Sequence, residues 1–369
     1  MKNKYFAIAS LLLISIFACQ TSEMATIPTL QVSPFESGVT AFGFFPSPPE
    51  ATLQSILTMY ADMGQHADVV LLQQAIPWQE FVVDPDGDSQ RIIDIHNQYL
   101  LARQNGLDII FVVDPLNGLN RRVFMDLPED WEPGFGNPDV RSAFMNFALR
   151  IVREFQPRYL GLASEINTYI DAHPEDFANY LSLYNMVYGM VKLESPETQI
   201  FVTFQWEDLN NLISEAAEDR QAYQTNWDQV EAFEPNLDLW VISSYPFVVF
   251  ESGAAIPADY YTPLLTRTTR PLAVAEGGYS SQDIGPFHGS EQDQIDYLTA
   301  IHSQIGSRLA FWIYLLLSDF NLESYGGMME EQGHGGDIGT LGLFSAVGLR
   351  EFDGTPKAAL AVWDRFRNR

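Results

Sequence analysis

The chain has 369 residues, 46% of them hydrophobic and 13% aromatic, which is ample for a large core. Its 48 Asp and Glu against 20 Lys and Arg give a formal net charge of −28 and a pI near 4.3. That balance argues against nucleic acid or an anionic lipid surface as partner, because both require basic patches; the acidity reads as solubility in an extracytoplasmic setting.

At the N-terminus, Lys2 and Lys4 precede an apolar stretch, residues 5–18, that is short for a bilayer span. It runs into Ile16-Phe17-Ala18-Cys19, and Cys19 is the sole cysteine, so the chain forms no internal disulfide. This pattern resembles the lipobox of bacterial lipoproteins, in which the cysteine thiol is acylated and becomes the first mature residue. The resemblance implies a signal peptide over 1–18, a lipid on Cys19, and a place in the bacterial cell envelope, at the outer membrane or cell surface, with the lipid as the one membrane contact. Residues 19–37, rich in Ser, Thr and Pro, read as a flexible tether.

From residue 38 to 369 strand-like and helix-like segments alternate. Strands are predicted at 39–45, 68–72, 107–113, 159–163, 199–205, 237–243, one ending on Glu276, and 309–317. Helices are predicted at 50–63, 89–105 (with Gly106 as its stop), 138–155, 174–193, 289–305 and 356–367, a short one at 257–266, and a helical or mixed segment at 209–231. Residues 321–342 read as a long Gly-rich loop. The strands are apolar throughout, as in a parallel sheet covered on both faces. Eight such units in one domain predict an α/β fold, a single (β/α)8 TIM barrel. An open doubly wound sheet would bring a glycine-rich phosphate turn, and no GxGxxG or GxxxxGK[ST] is present.

Two stretches stand out. Pro157-Arg-Tyr-Leu-Gly-Leu-Ala-Ser-Glu-Ile-Asn-Thr-Tyr169 is an apolar run that stops on Ser164, Glu165 and Asn167. Arg270-Pro-Leu-Ala-Val-Ala-Glu-Gly-Gly-Tyr279 is another that stops on Glu276. In a barrel the C-terminal strand ends share one face, where active sites sit. A carboxyl at the edge of a core can have its pKa raised toward working pH. Aromatic residues gather near the same ends: Trp78, Trp206, Tyr169, Tyr245, Tyr279 and Trp312, with Gln205 at the end of the fifth strand. Aromatic faces beside carboxylates suit a sugar ring, which offers flat C–H faces and many hydroxyls.

A glutamate ending strand four and another ending strand seven resembles clan A, the large group of retaining (β/α)8 glycoside hydrolases. Ala163-Ser-Glu-Ile-Asn167 and Ala275-Glu-Gly-Gly-Tyr279 stand where that clan has its acid/base and its nucleophile. Ser244-Tyr245-Pro246 is similar to a strand-six segment of several members, among them the arabinogalactan endo-β-1,4-galactanases, and Gly342-Leu-Phe with Asp353-Gly-Thr-Pro-Lys357 is similar to a frequent tail. The resemblance implies double displacement, with Glu276 as nucleophile, Glu165 as acid/base and Tyr245 hydrogen-bonded to Glu276. The clan carries Asn immediately before the acid/base; here Ser164 stands there, so Ser164 or Asn167 is expected to make that sugar contact. The arginine often found near the clan's early strands is not evident. Trp206, Trp78, Trp312 and Gln205 complete the expected substrate-binding set.

Asp114, Glu207, Asp208 and Asp319 read as helix caps or loop ions. Asp84-Pro-Asp-Gly-Asp88 reads as an acidic turn, since its glycine is misplaced for a calcium loop and Ile95 stands where a bidentate Glu belongs. His334 and Asp337 have no metal-ligand spacing. The expectation is a monomer that acts on a carbohydrate without cofactor or metal. The alternative is a non-catalytic surface glycan-binding lipoprotein on a degenerate barrel.

Overall fold

A computed structural model of the protein describes residues 38–368, except 86, 88, 214–220 and 332–337. The signal segment, Cys19, the tether, His334 and Asp337 lie outside the described residues, as do two of the acids in the 84–88 turn.

Eight parallel barrel strands follow in order: one, Ala41–Phe44; two, Val69–Ala75; three, Asp108–Asp114; four, Tyr159–Gly161; five, in two pieces, Gln199–Phe201 and Thr203–Gln205; six, Trp240–Ser244; seven, Leu272–Gly277; eight, Leu309–Tyr314. Around the sheet the order is five, four, three, two, one, eight, seven, six, five, every pairing parallel. Strand five closes the ring because its first piece bonds strand four and its second piece bonds strand six. This is the single (β/α)8 barrel expected from the alternation.

The alternation of side chains along each strand decides what fills the interior. In strand eight Phe311 turns inward, its ring 5.1 Å from Tyr159 and 5.7 Å from Phe201 across the barrel. Its neighbour Trp312 turns outward onto Trp363 and Phe366 of the last helix, Ala358–Arg367. Gly161 is required by this filling: a Cβ there would lie 2.9 Å from the Phe201 ring and from Val112. The outer layer is built the same way. In Pro138–Phe155 the residues Val140, Phe144, Phe147 and Ile151 fall on one face at helical spacing and are buried. Asn137 caps its start by accepting from the Asp139 amide at 2.9 Å, and Gln156 ends it in the left-handed conformation. Each such fully buried Phe or Ile contributes about 1.5–3 kcal/mol.

Three predicted segments differ. The Gly-rich stretch holds two helices, Leu322–Glu331 and Ile338–Gly342. Tyr325 and Met329, one helical turn apart, are both buried, and the Tyr325 hydroxyl donates to the Pro48 carbonyl, so tertiary packing overrides the glycines. The helix predicted at 174–193 is preceded by a separate one, Ile166–Ala172, and itself runs Phe177–Glu194. The mixed segment at 209–231 resolves into Trp206–Leu209 and Trp227–Glu231. After strand three the chain makes an antiparallel hairpin, Leu116–Asn117 with Asn120–Phe124, that no periodicity announced. Among the described residues no helix is long and apolar enough to cross a membrane.

Candidate active site

Strand four ends early, and the chain turns sharply to place Glu165. This residue sits in the left-handed region, φ 50° and ψ 44°, as N-cap of Ile166–Ala172. A non-glycine residue held there costs on the order of 1 kcal/mol or more, and such strain collects at functional sites. The conformation is held by the Glu165 amide donating to Thr203 Oγ1 at 2.7 Å and the Ser164 amide donating to Asp114 Oδ1 at 3.4 Å. Glu276 lies within strand seven, next to Ser243 of strand six in register. Gly277 follows because the strands pass close: a Cβ there would lie 2.6 Å from the Ser244 carbonyl oxygen.

Both carboxyls meet one guanidinium. Arg121, on the hairpin, donates from Nε to Glu165 Oε2 at 3.2 Å and from Nη1 to Asp114, and its Nη2 lies 3.8 Å from Glu276 Oε2. All four side chains are about 1–3% exposed. Hydroxyls complete the set. Tyr245 OH donates to Glu276 Oε1 at 2.6 Å, and Ser243 Oγ donates to Glu165 Oε1. Gln73 Nε2 donates to Asp114 Oδ2 at 2.5 Å.

One cation therefore faces three buried carboxyls. Burial pushes the Glu165 carboxyl up, against the pull of Arg121 and of the Ser243 hydroxyl. Glu276 is pushed up to about 8, first by burial and then by the nearby charge of Glu165, with Arg121 and Tyr245 opposing. Asp114 is raised by burial as well. Two carboxyls on the same guanidinium titrate as a pair, so the upward shifts belong to the pair rather than to either residue. Among the described residues no three His, Cys, Asp or Glu side chains are grouped to hold a metal ion.

The other predicted site residues divide by position. Ser164 is buried directly beside Glu165, its Oγ 3.2 Å from Thr203 Oγ1. Asn167 spends its amide on strand five: Nδ2 donates to the Gln205 carbonyl at 3.2 Å and to Asp208 Oδ2 at 2.9 Å, and Oδ1 accepts from the Gln205 amide at 2.8 Å. The Gln205 side chain donates to Glu207 and accepts from the Asp208 amide. Trp206 is fully buried against Trp227, Tyr260 and Tyr261. Trp78 lies under the hairpin, its indole donating to the Met125 carbonyl at 2.7 Å and its ring 5.8 Å from Phe124. Trp312 faces the helix layer. The structure thus brings Glu165, Glu276, Tyr245 and Ser164 together and commits the tryptophans, Asn167 and Gln205 to packing and to one another.

The acids read as caps or loop ions also separate. Asp208 accepts from Asn167 and Thr168, and Asp319 pairs with Lys357 at 2.6 Å, both away from the carboxyl pair. Asp114 belongs to the Arg121 cluster instead, and Glu207 sits behind Tyr245, accepting from its backbone amide at 3.0 Å. The arginine of this cluster, Arg121, was not singled out in the sequence; it lies on the hairpin after strand three. A signal existed: Arg121 and Arg122 are the only cations between residues 115 and 137, directly after strand three.

Solved structures with a similar barrel carry glycoside hydrolase names. The exo-β-1,4-mannosidase Op5Man5 from Opitutaceae bacterium strain TAV5 superposes with a TM-score of 0.65 at 13% identity, covering 89% of this chain and 59% of that one. GH5_18 from Bifidobacterium longum subsp. longum gives 0.62 at 14% identity over 90% and 79%. Fungal β-1,4-galactanases give 0.52 at 15% identity over 88% and 94%. The chain thus spans less than two thirds of the mannosidase's length. No protein-family model matches the sequence, and a search of curated proteins finds no match. At these identities the likeness establishes the fold.

Proposed function

We propose that the protein is a retaining glycoside hydrolase, with Glu276 as nucleophile and Glu165 as acid/base. The observation that carries this reading is the meeting of the strand-four and strand-seven carboxyls on Arg121 at the C-terminal strand ends. Both carboxyls contact the same guanidinium and both are raised by burial, which suits a pair with one proton to give and one charge to attack with, as double displacement requires. Glu276 attacks the anomeric carbon while Glu165 passes its proton to the leaving oxygen. Glu165, now ionised, then takes a proton from the incoming water, which displaces Glu276 and frees the sugar. Tyr245 and Arg121 hold the attacking carboxylate in place and stabilise its charge.

The substrate class is a polysaccharide or oligosaccharide, in keeping with the mannosidase and galactanase names of the fold neighbours. Lipid anchoring at Cys19 to the bacterial envelope, and action as a monomer, belong to the same proposal and rest on the sequence. The test is reducing-end release by purified protein across a panel of plant and algal glycans, beside Glu276→Gln. The expected result is release by the wild type and none by the variant. A wild type that binds a glycan, cleaves none, and keeps its affinity in Glu276→Gln would instead be a glycan-binding protein.

A further inference from the structure

The end of strand six and the residue after it supply three side chains that each serve a carboxyl. Ser243 and Tyr245 point inward, where their hydroxyls donate to Glu165 and Glu276. Ser244, between them, points the other way and donates to Glu207 Oε1 at 2.6 Å. The Tyr245 amide donates to Glu207 Oε2 at 3.0 Å. Two further donors fill the same carboxylate, Gln205 Nε2 at 2.8 Å and the Tyr260 hydroxyl at 3.2 Å. Glu207 is fully buried, and among the described residues no cation pairs with it. A buried acid that neither faces the reaction centre nor balances a charge calls for an explanation, and its four donors supply one: two of them come from the segment that carries the donors of the catalytic pair.

We infer that Glu207 is a positioning residue, which fixes Ser243-Ser244-Tyr245 so that Glu165 and Glu276 receive their hydroxyl donors together. The inference rests on the glycosidase reading for its kinetic consequence, not for its structural one. The two carboxylate oxygens of Glu207 are not equivalent. Oε2 receives N–H groups, which can only donate; Oε1 receives hydroxyls, and Ser244 Oγ also lies 2.9 Å from Tyr261 OH, so the hydroxyl chain can reverse. A glutamine at 207 can therefore keep its carbonyl toward Tyr245 and turn its NH2 to the hydroxyls. The Gln variant removes the charge and keeps the anchor; the Ala variant removes both.

The experiment titrates the Glu276 carboxyl in ¹³C-glutamate-labelled protein, assigned by its loss in Glu276→Gln, and measures kcat and KM on any glycan cleaved. The groups facing Glu276 are Glu165, Arg121, Tyr245 and Asp114, and of these Tyr245 is the one Glu207 holds. In Glu207→Ala the Glu276 midpoint should move up, with kcat down on the order of thirtyfold and KM within about threefold. In Glu207→Gln the midpoint should not rise, and kcat should stay within about threefold. If Glu207→Ala does not fold, Ser244→Ala drops one tie and should give a smaller upward shift of the same sign. An unmoved midpoint in the folded Ala variant, or in Ser244→Ala where that variant stands in for it, overturns the inference, as do Gln and Ala variants that behave alike. Because the titration needs no turnover, a wild type that cleaves no glycan would refute the proposed function while leaving this test intact.

Discussion

Two buried ionic clusters lie at the same face of the barrel, and they are built on opposite rules. At the end of strand eight, Lys357 donates to Asp319 at 2.6 Å, to Ser281 Oγ at 2.8 Å and to the Gly348 carbonyl at 3.0 Å, so its three protons meet one acid and two neutral groups, with Glu351 beside Asp319. At the ends of strands three, four and seven, one Arg121 faces Asp114, Glu165 and Glu276. The first cluster gives its cation one paired carboxyl and ties the last helix to the barrel. The second has acid in excess, which burial turns into retained protons. The number of carboxyls that meet the cation, three against one, distinguishes the cluster proposed for chemistry from the one that ties elements together.

The largest expected effect is on turnover. Glu276→Gln should lower kcat by at least about a thousandfold on any glycan the wild type cleaves, with the fold unchanged by circular dichroism. Lys357→Met should leave the kcat of the folded enzyme within a few-fold of wild type.

Stability should sort the clusters next. Removing Arg121 (Arg121→Met) or Lys357 (Lys357→Met) leaves buried acid unpaired and should cost about 3–5 kcal/mol by urea denaturation. Adding Asp319→Asn to Lys357→Met should recover most of that loss, since it removes the carboxyl left without its cation. Adding Asp114→Asn to Arg121→Met should recover much less, because Glu165 and Glu276 stay behind.

The retained protons set a pH dependence whose sign is fixed. Glu276 binds its proton more tightly folded, at about 8, than unfolded. Its contribution to stability is therefore fully present below the unfolded-state value, about 4.3, and is lost as pH rises through about 8. Asp319, pushed up to about 7 by burial against the pull of Lys357, adds a smaller loss of the same sign. Thermal melts from pH 5 to 9 should show Tm falling, and Glu276→Gln should flatten the slope more than Asp319→Asn does. The smallest effect concerns the outward tryptophan: Trp312→Phe should cost about 1–3 kcal/mol of stability and leave KM within about twofold.

Much of this was legible in the sequence, for reasons that also mark where legibility ends. The eight strands showed because apolar runs buried on both faces have no competing reading, and Glu165 and Glu276 showed because each interrupts such a run. The expected convergence at one face followed from topology alone. Arg121 was not legible, because it sits on a hairpin too short to carry a period. The side on which Trp312 lies was not legible for a different reason: residues 311 and 312 differ by one position, and that single step decides between barrel interior and helix layer. Asn167 looks like a sugar ligand in sequence, yet its amide is matched on both sides by strand five, a pairing 38 residues away that only the fold supplies.

The stereochemistry of the first product tests the proposed mechanism most directly. Proton NMR of a freshly started hydrolysis should show the released sugar with the anomeric configuration of the substrate, before mutarotation sets in. Retention is the outcome for two carboxyls about 5–5.5 Å apart acting in two displacements; an inverted first product would require a gap of about 6.5–9.5 Å and would contradict Glu276 as the nucleophile.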